Sequence, residues 1–425
     1  MKGKNHWVLF AILLIALISL SPGNNWSFIH DEVNNSTVSP PIVNHHEVKE
    51  SAHLKVAVDL EPEAFHQLQQ ASARFALHHH VGVELVNEYG KDTYAEFSHQ
   101  FVLHDAPDIM EIDNAWIQDF AVKGYLHPAN SYYTGIGNAL SGLQAAGEWN
   151  GYAWSVPKDL DPYVLVYNSD VLDKLGFQAL PEQDVDWIRL QELLRAPSID
   201  EDKGYVIACD FSDPYVFLSL VHRLGTEHDT VDRGAADIST GITSGIKLLN
   251  SLRASMYDFN NKENVNINWS SLDNGRVAAV LVKYSEYVIH GNSNWKVEFP
   301  NHLPVERQMA GAGSSYVVSS DSHETEAANE WISAMTESSE EQSWFQTTGK
   351  LPASKALYQL AEYTDINEWI PDEDGRGLLW NMPIFGSVSI LANLGDLSRN
   401  YLSSRSISVD ACITLLSQYM KQARP

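Results

Sequence analysis

The stretch LKVAVDLEPEAFHQLQQASARFALHHHVGVELVN, residues 54–87, decides the fold class of this chain. It opens with an apolar strand pattern at 54–60, and apolar residues then recur at helical spacing from Pro62 to Gly82, where the helix is predicted to end. A second strand follows directly, and the alternation continues to a third strand, PDIMEI, at 107–112. The order strand, helix, strand, helix, strand predicts a parallel sheet with covering helices.

Ligands of such sheets bind beyond the carboxyl ends of the strands. Asp59 ends the first predicted strand, and Asp113 and Trp116 follow the third, so all three are candidate ligand contacts. Each has a structural alternative. Asp59 could be a solvated loop carboxylate, Asp113 a helix N-cap, and Trp116 a packing residue.

The same logic repeats in the middle of the chain and predicts a second sheet. Its strands are YVLVYN (163–168), GYVIACDF (204–211) and VAAVLV (277–282), the last followed by a polar, aromatic turn. Gly176 is predicted to close one helix, and Asp213 to cap another that has Pro214 in its first turn. A strand at 313–320 and an amphipathic helix at 324–336 complete the α/β pattern.

Composition narrows the classes of partner. The chain has 425 residues, which suggests two domains, and its net charge is −27, from 28 basic and 55 acidic residues. A surface this acidic repels nucleic acid and anionic membranes. We therefore expect a soluble, exported protein that does not bind nucleic acid.

The amino terminus carries an export signal. Lys2 and Lys4 precede an uncharged apolar run at 7–20, so residues 1–23 form a predicted signal segment, cleaved or kept as an anchor. Residues 24–52 form a predicted disordered tether. No cysteine follows the run, so a bacterial lipid anchor is excluded, and the protein is expected to be secreted or held at the outer face of the membrane. Cys209 and Cys412 are either a disulfide or two buried thiols.

Signatures of catalysis and metal binding are missing from the sequence. It has no Gly-x-Ser-x-Gly, His-Glu-x-x-His, Walker or dinucleotide motif. The histidines at 78–80 point in three directions on a helix, which disfavours a metal site. We expect no catalytic residue, no metal and no cofactor.

Several blocks, in order over residues 54–422, resemble the bacterial extracellular solute-binding proteins of the maltose-binding type. They are HDAPDIMEIDNAWIQDFAVKGYLHPAN, EWNGYAWSVPKDLDPYVLVYNSDVLDKLGF, DNGRVAAVLVKYSEYV, GAGSSYVVSSDSHETEAANEWISAMTESSEEQSWF and LPASKAL. The chain departs from that family where the ligand-facing turn most often carries Gly and Trp, because Tyr284, Ser285, Glu286 and Tyr287 stand there. The identity of a ligand therefore cannot be carried over.

The resemblance implies a two-lobe periplasmic-binding-protein-like fold, each lobe a mixed, mostly parallel sheet with covering helices. Lobe 1 would comprise 53–159 and 300–338, and lobe 2 would comprise 160–299 and 339–425, with crossings near 158–161, 297–304 and 336–342. The implied function is capture of a small ligand, a mono- or oligosaccharide, for delivery to the permease of an ABC transporter, and we expect a monomer. A sensory module that presents ligand to a membrane receptor, or a secreted carbohydrate-active enzyme, are the alternatives.

The remaining candidate contacts lie in lobe 2 and at the crossing. Asp159 and Asp161 are two residues apart and could contact ligand, shape a turn, or form the acid and base of a glycosidase. Tyr215, Tyr284, Glu286, Tyr287 and Ser315 complete the set. Tyrosine rings suit the C–H face of a sugar, and a core tyrosine or a close-packed Gly-rich loop are the structural alternatives.

Overall fold

The computed structural model describes residues 52–131, 133, 135–196, 204–225, 240–259, 269–298, 313–363, 366, 388–404 and 406–422. The predicted signal segment and all but the last residue of the predicted tether lie outside these ranges. Most of the crossing predicted near 297–304 lies outside them as well.

Short strands and helices alternate along the described chain. The strands are β1 His53–Val58, β2 Gly82–Asn87, β3 Ile109–Asp113, β4 Glu148–Trp149, β5 Tyr152–Ala153, β6 Val156–Pro157, β7 Asp159–Leu160, β8 Tyr163–Asn168, β9 Tyr205–Cys209, β10 Met256–Asp258, β11 Val277–Lys283, β12 Trp295–Glu298, β13 Ser314–Val318 and β14 Leu351–Pro352. The helices are α1 Pro62–His79, α2 Thr93–Leu103, α3 Ile117–Val122, α4 Ser141–Ala146, α5 Ser169–Lys174, α6 Asp184–Arg195, α7 Pro214–Leu224, α8 Thr240–Leu252, α9 Ser270–Asp273, α10 Tyr284–His290, α11 Thr325–Met335, α12 Ser338–Thr348, α13 Val388–Arg399 and α14 Val409–Gln422.

Two five-stranded sheets form the framework, and we call the parts built on them lobe 1 and lobe 2. The sheet of lobe 1 has the order β2-β1-β3-β13-β6, and that of lobe 2 has the order β10-β9-β11-β8-β12. In each sheet one strand, β13 or β8, pairs antiparallel with both neighbours, while the other pairings are parallel. Four of five strands therefore run in one direction, which confirms the predicted mixed, mostly parallel sheets.

This topology determines which residues meet at the ligand edge of each sheet. The carboxyl ends of β1 and β3 share one edge of lobe 1, and the reversed strand β13 starts at that edge with Ser314 opposite Asp113. In lobe 2, β9 and β11 end where the reversed strand β8 begins, with Lys283 opposite Tyr163. Residues from both sheets can thus converge between the lobes.

A two-stranded ribbon links the lobes. In it β7 pairs with β14, Leu160 opposite Leu351 and Asp159 opposite Pro352. Helix α12 packs against α1 of lobe 1, where Gln67 donates to Ser343 and Arg74 contacts Glu340 at 2.6 Å. The lobe boundaries remain a proposal, and these contacts favour moving the last one from residue 338 to the ribbon, after α12.

The apolar strands supply the cores. Every residue of β8 is buried, because both faces of the lobe 2 sheet are covered. In lobe 1 the two sheet faces pack on separate clusters, one around Trp331 and one around Phe120. Cys209 and Cys412 are both buried and both free thiols, so the disulfide alternative is wrong.

Two local predictions were wrong. The first helix ends at His79 and not at Gly82, because His80 adopts the left-handed conformation at φ 57° and Gly82 already pairs with His53 in β2. The polar segment after β11 is the helix α10 and not a turn. The Asp161 carboxylate accepts hydrogen bonds from the Ser285 amide and hydroxyl, at 2.9 and 2.7 Å, and so binds the start of this helix.

Candidate functional site

Charged side chains from both lobes meet at the facing strand ends. Asp113 ends β3 in lobe 1 and interacts electrostatically with Lys283, which ends β11, and with Asp213, which precedes α7 in lobe 2. Lys350, next to the ribbon, acts on Asp113 as well. Burial raises the pKa of Asp113 and nearby Asp213 adds to the rise, while the Ala115 amide and the two lysines oppose it. The candidate site therefore combines charged groups from both lobes.

Asp213 arranges two tyrosine rings on the lobe 2 wall. One carboxylate oxygen accepts from the amides of Tyr215 and Val216, which confirms the predicted helix cap, and the other accepts from the Tyr163 hydroxyl. The Tyr163 and Tyr215 rings stack with centroids 6.2 Å apart and an interplanar angle of 24°. The Tyr215 side chain is 8% exposed, and within the described part of the chain its hydroxyl has no hydrogen-bond partner.

Trp116 lies on the lobe 1 side of the cleft. The side chain is half-buried in the turn Asn114–Trp116, and it packs against the core clusters of both lobes. Its ring meets Tyr94 edge-on at 5.5 Å between centroids and Phe120 at 6.4 Å. Trp116 therefore stays a predicted ligand contact, and its side chain packs against the cores of both lobes.

The Asp159 side chain on the ribbon is hydrogen-bonded to two other segments of the chain and does not line an open pocket. The residue is fully buried, and its carboxylate accepts from the amide and hydroxyl of Ser314, each at 3.0 Å, and from the Trp344 indole at 3.0 Å. Burial opposes ionisation, but Lys350, Lys158 and these hydrogen bonds together hold the pKa of Asp159 below its usual value.

Two lysines neutralise this crossing region. Lys158 is buried, pairs with Glu111 at 2.8 Å, and lies 3.6 Å from the centroid of the Trp344 ring. Lys350 lies 3.8 Å from Asp159, and its electrostatic partners also include Glu111, Asp161 and Asp113. Burial opposes its charge, but these four carboxylates raise the pKa of Lys350. Lys350 therefore connects the crossing to the cleft.

Asp161 and Glu286 add carboxylates to the lobe 2 wall. Burial raises the pKa of Asp161, against the opposing effects of Lys283, Lys350 and the Ser285 hydrogen bonds. Glu286, in the first turn of α10, is exposed. Its pKa is nevertheless raised by partial removal from solvent and by Asp161 and Asp213, with Lys283 opposing.

The structure corrects two of the predicted contacts. Tyr284 is 6% exposed and belongs to the core cluster beside Tyr358, because α10 turns its first side chain into lobe 2. Ser315 is fully buried, and its hydroxyl donates to Asn114 at 2.6 Å. Tyr284 packs in the core of lobe 2 and the Ser315 hydroxyl is bonded inside lobe 1, so neither belongs to the candidate site.

Asp59 and Tyr287 stay predictions. Asp59 is exposed after β1 and accepts a hydrogen bond from Thr93 at 2.6 Å. Tyr287 is half-buried, with its ring centroid 5.9 Å from that of Tyr284. The contacts described for these two residues do not connect them to Asp113.

Sequence reasoning missed Lys283, Lys350 and Tyr163 as site residues, and it treated Asp213 only as a helix cap. Lys283 was the most visible of them, because a charged residue ends an otherwise apolar strand at the ligand edge. Lys350 had no such signal, since its position depends on the pairing of β14 with β7. In the described ranges no cluster of three or more His, Cys, Asp or Glu side chains could hold a metal ion, and no helix is long and apolar enough to cross a membrane.

Comparison with known proteins identifies a family and related folds. The model of the family described as bacterial extracellular solute-binding protein matches residues 59–342. The GacH receptor of Streptomyces glaucescens GLA.O, solved unliganded and with acarbose, is 20% identical, with 88% of this chain and 98% of that chain covered and a TM-score of 0.69. A solute-binding protein of Thermotoga lettingae TMO, solved with α-D-tagatose, is 16% identical over 88% and 100% of the two chains, with a TM-score of 0.68. Maltose-bound MalE3 of T. maritima is 15% identical over 87% and 99%, with a TM-score of 0.67.

Proposed function

The chain belongs to the bacterial extracellular solute-binding proteins, and on that basis we propose that it captures a mono- or oligosaccharide in the interlobe cleft and delivers it to the permease of an ABC transporter. The family is extracellular, which agrees with an exported protein. We further propose that residues 1–23 direct export, that residues 24–52 are a tether, and that the protein acts as a monomer.

The observation that carries the carbohydrate assignment is the pairing of aromatic rings with carboxylates at one place. Half-buried Trp116 offers a flat apolar face to the C–H side of a sugar ring, while the buried Tyr163 and Tyr215 stack positions the Asp213 carboxylate through the Tyr163 hydroxyl. Asp113 and Asp213 offer acceptors for hydroxyl groups. The acceptors are needed beside the aromatic faces, because a sugar hydroxyl that loses its water without gaining a new hydrogen bond costs about 1–3 kcal/mol of binding free energy.

The solved relatives support the same assignment. Their structures contain acarbose, tagatose or maltose, which are all carbohydrates. Identities of 15–20% leave the particular sugar open.

We propose that binding occurs without turnover. The only carboxylate pair that the sequence suggested for glycosidase chemistry is engaged in holding the fold. Asp159 is fully buried and hydrogen-bonded to Ser314 and Trp344, while both oxygens of Asp161 accept from Ser285. A general acid or base must reach the proton that it transfers, and these groups are already occupied.

A thermal-shift screen of mono- and oligosaccharides tests the proposal. A ligand that binds only the folded state raises the melting temperature, so a cognate sugar should do so while amino acids and peptides should not. Trp116→Ala should reduce the shift, and Tyr152→Ala is the matched control, because Tyr152 is 52% exposed and its described ring contact is with Trp154. A flat response to every saccharide, together with a shift from another solute class, would rule out the carbohydrate assignment.

A further inference from the structure

Carboxylates and lysines are equal in number at the crossing, whereas carboxylates outnumber lysines in the cleft. At the crossing, Glu111 and Asp159 face Lys158 and Lys350, with N–O distances of 2.8 to 3.9 Å, so two carboxylates meet two ammonium groups. The crossing set taken alone is therefore neutral, and its Lys350 also acts on Asp113 and Asp161 of the cleft.

The cleft set is short of positive charge. Its carboxylates are Asp113, Asp161, Asp213 and Glu286. Lys283 and His290 act on them, and Lys350 of the crossing acts on Asp113 and Asp161, so the two sets together hold six carboxylates against three lysines. Among the described residues Lys283 forms no ion pair within 4 Å, so it reduces the negative charge of the four carboxylates without pairing with any one of them. The repulsion from Asp213 on Asp113, and from Asp161 and Asp213 on Glu286, is the electrostatic consequence.

An independent observation points into the same place. The Tyr215 hydroxyl is buried, has no hydrogen-bond partner within the described part of the chain, and interacts electrostatically with Asp113 and Asp213. A buried hydroxyl without a partner is uncommon in folded proteins, because its desolvation is not repaid. A ligand polar group beside Asp113 and Asp213 would satisfy it.

The kind of ligand follows from the missing charge. A uronic or sialic acid would add a negative charge to a site with an excess of them, and it would be repelled. A neutral sugar would leave the excess unchanged. A divalent cation is disfavoured, since the described residues contain no cluster suited to a metal ion.

We propose that the cleft selects a saccharide that carries a protonated amine, with the ammonium group held among Asp113, Asp213 and Glu286 and a polar atom beside the Tyr215 hydroxyl. This inference rests on the proposed carbohydrate function and narrows its substrate class. Several carboxylates attract one ammonium group more strongly than a single carboxylate does. The attraction is also stronger than in water, because the dielectric in a cleft is lower.

Matched pairs of amino sugars test the inference by isothermal titration at pH 6.5 and low salt. Glucosamine, galactosamine, mannosamine and the glucosamine disaccharide are each compared with their N-acetylated forms, which keep the ring and lose the charge. The expected result is that, in at least one pair, the free amine binds about tenfold or more tightly than its acetylated partner.

Two charge variants make the test specific. Glu286→Gln should lower the amine preference, and Lys283→Gln should raise it, each by about three- to tenfold, because they remove opposite charges from the same wall. Asp119→Asn, which changes a lobe 1 carboxylate paired with Lys123 at 2.7 Å, is the control and should leave the preference unchanged.

The outcomes separate the two proposals. If the acetylated or other neutral sugars bind equally well or more tightly, the amine inference is overturned and the carbohydrate function stands. The same holds if Glu286→Gln and Lys283→Gln shift the preference for the free amine in the same direction. Failure of every saccharide, charged and neutral, overturns both.

Discussion

Tyr215→Phe should stabilise the ligand-free protein while it weakens ligand binding. The hydroxyl of Tyr215 is buried and lacks a protein partner in the described chain. Such a group costs about 1–3 kcal/mol of folding free energy, and phenylalanine keeps the ring that stacks on Tyr163. The free energy of unfolding of the variant should therefore rise by about 1 kcal/mol or more.

Binding should respond in the opposite direction. If the ligand supplies the hydrogen bond that the Tyr215 hydroxyl lacks, its removal costs about 1–1.5 kcal/mol, which is about tenfold in affinity. Urea unfolding followed by tryptophan fluorescence measures the first quantity, and isothermal titration with the best saccharide of the screen measures the second.

The stacked neighbour provides the matched control. The Tyr163 hydroxyl donates to the Asp213 carboxylate, and a bond to a charged group is worth about 1.5–3 kcal/mol, so Tyr163→Phe should lower the free energy of unfolding. Loss of stability in both variants would refute the reasoning, since it would mean that the Tyr215 hydroxyl is already satisfied in the ligand-free protein.

Three further predictions concern the rest of the molecule. Burial raises the pKa of Glu341 from 4.5 to about 8, so ionisation of this carboxyl should lower the free energy of unfolding as the pH rises from about 4.5 through 8, by about 3 kcal/mol at pH 7. In urea titrations at several pH values, Glu341→Gln should flatten this pH dependence of stability. Glu337→Gln, at an exposed neighbouring residue, should leave the pH dependence as it is. Asp159→Asn should lower the free energy of unfolding by about 3 kcal/mol, because it leaves buried Lys158 short of a counter-charge, and an unchanged unfolding midpoint would contradict the described ion pairs. Tyr284→Ala should cost about 3–5 kcal/mol as a core truncation, and a variant that stayed stable but lost ligand would return Tyr284 to the site.

Local signals predicted the framework well. The run YVLVYN is the strand Tyr163–Asn168 with the predicted bounds, because five consecutive apolar or aromatic residues suit a strand buried on both faces. Asp213 caps its helix and Pro214 opens it, as the residue types predict. These features depend on neighbours in the sequence.

The errors came from side-chain direction. Ser314 and Ser315 alternate on β13, so the first faces Asp159 and Glu111, while the second faces Asn114 in the interior of lobe 1. A shift of one residue along β13 therefore separates Ser315, which is buried inside lobe 1, from Ser314, which bonds at the crossing. Tyr284 was misplaced for a related reason, because a helix begins there and directs its first side chain into the core.

Long-range pairing was beyond the reach of sequence patterns. Lys350 meets carboxylates from two distant segments, residues 111–113 and 159–161, because β14 pairs with β7 almost 200 residues earlier in the chain. Nothing near Lys350 in the sequence indicates that pairing. The place of Lys350 in the site therefore became evident only in the folded chain, whereas Lys283 had a signal at the end of its strand.

The most direct test of the central claim is an isothermal titration of the purified protein with the best saccharide of the thermal-shift screen, followed by chromatography of the recovered sugar. We predict one saturable site per chain, weakened by Trp116→Ala and by Tyr215→Phe, and a sugar recovered unchanged. Binding that both variants leave intact would contradict the cleft, and a cleaved or modified sugar would contradict capture without turnover.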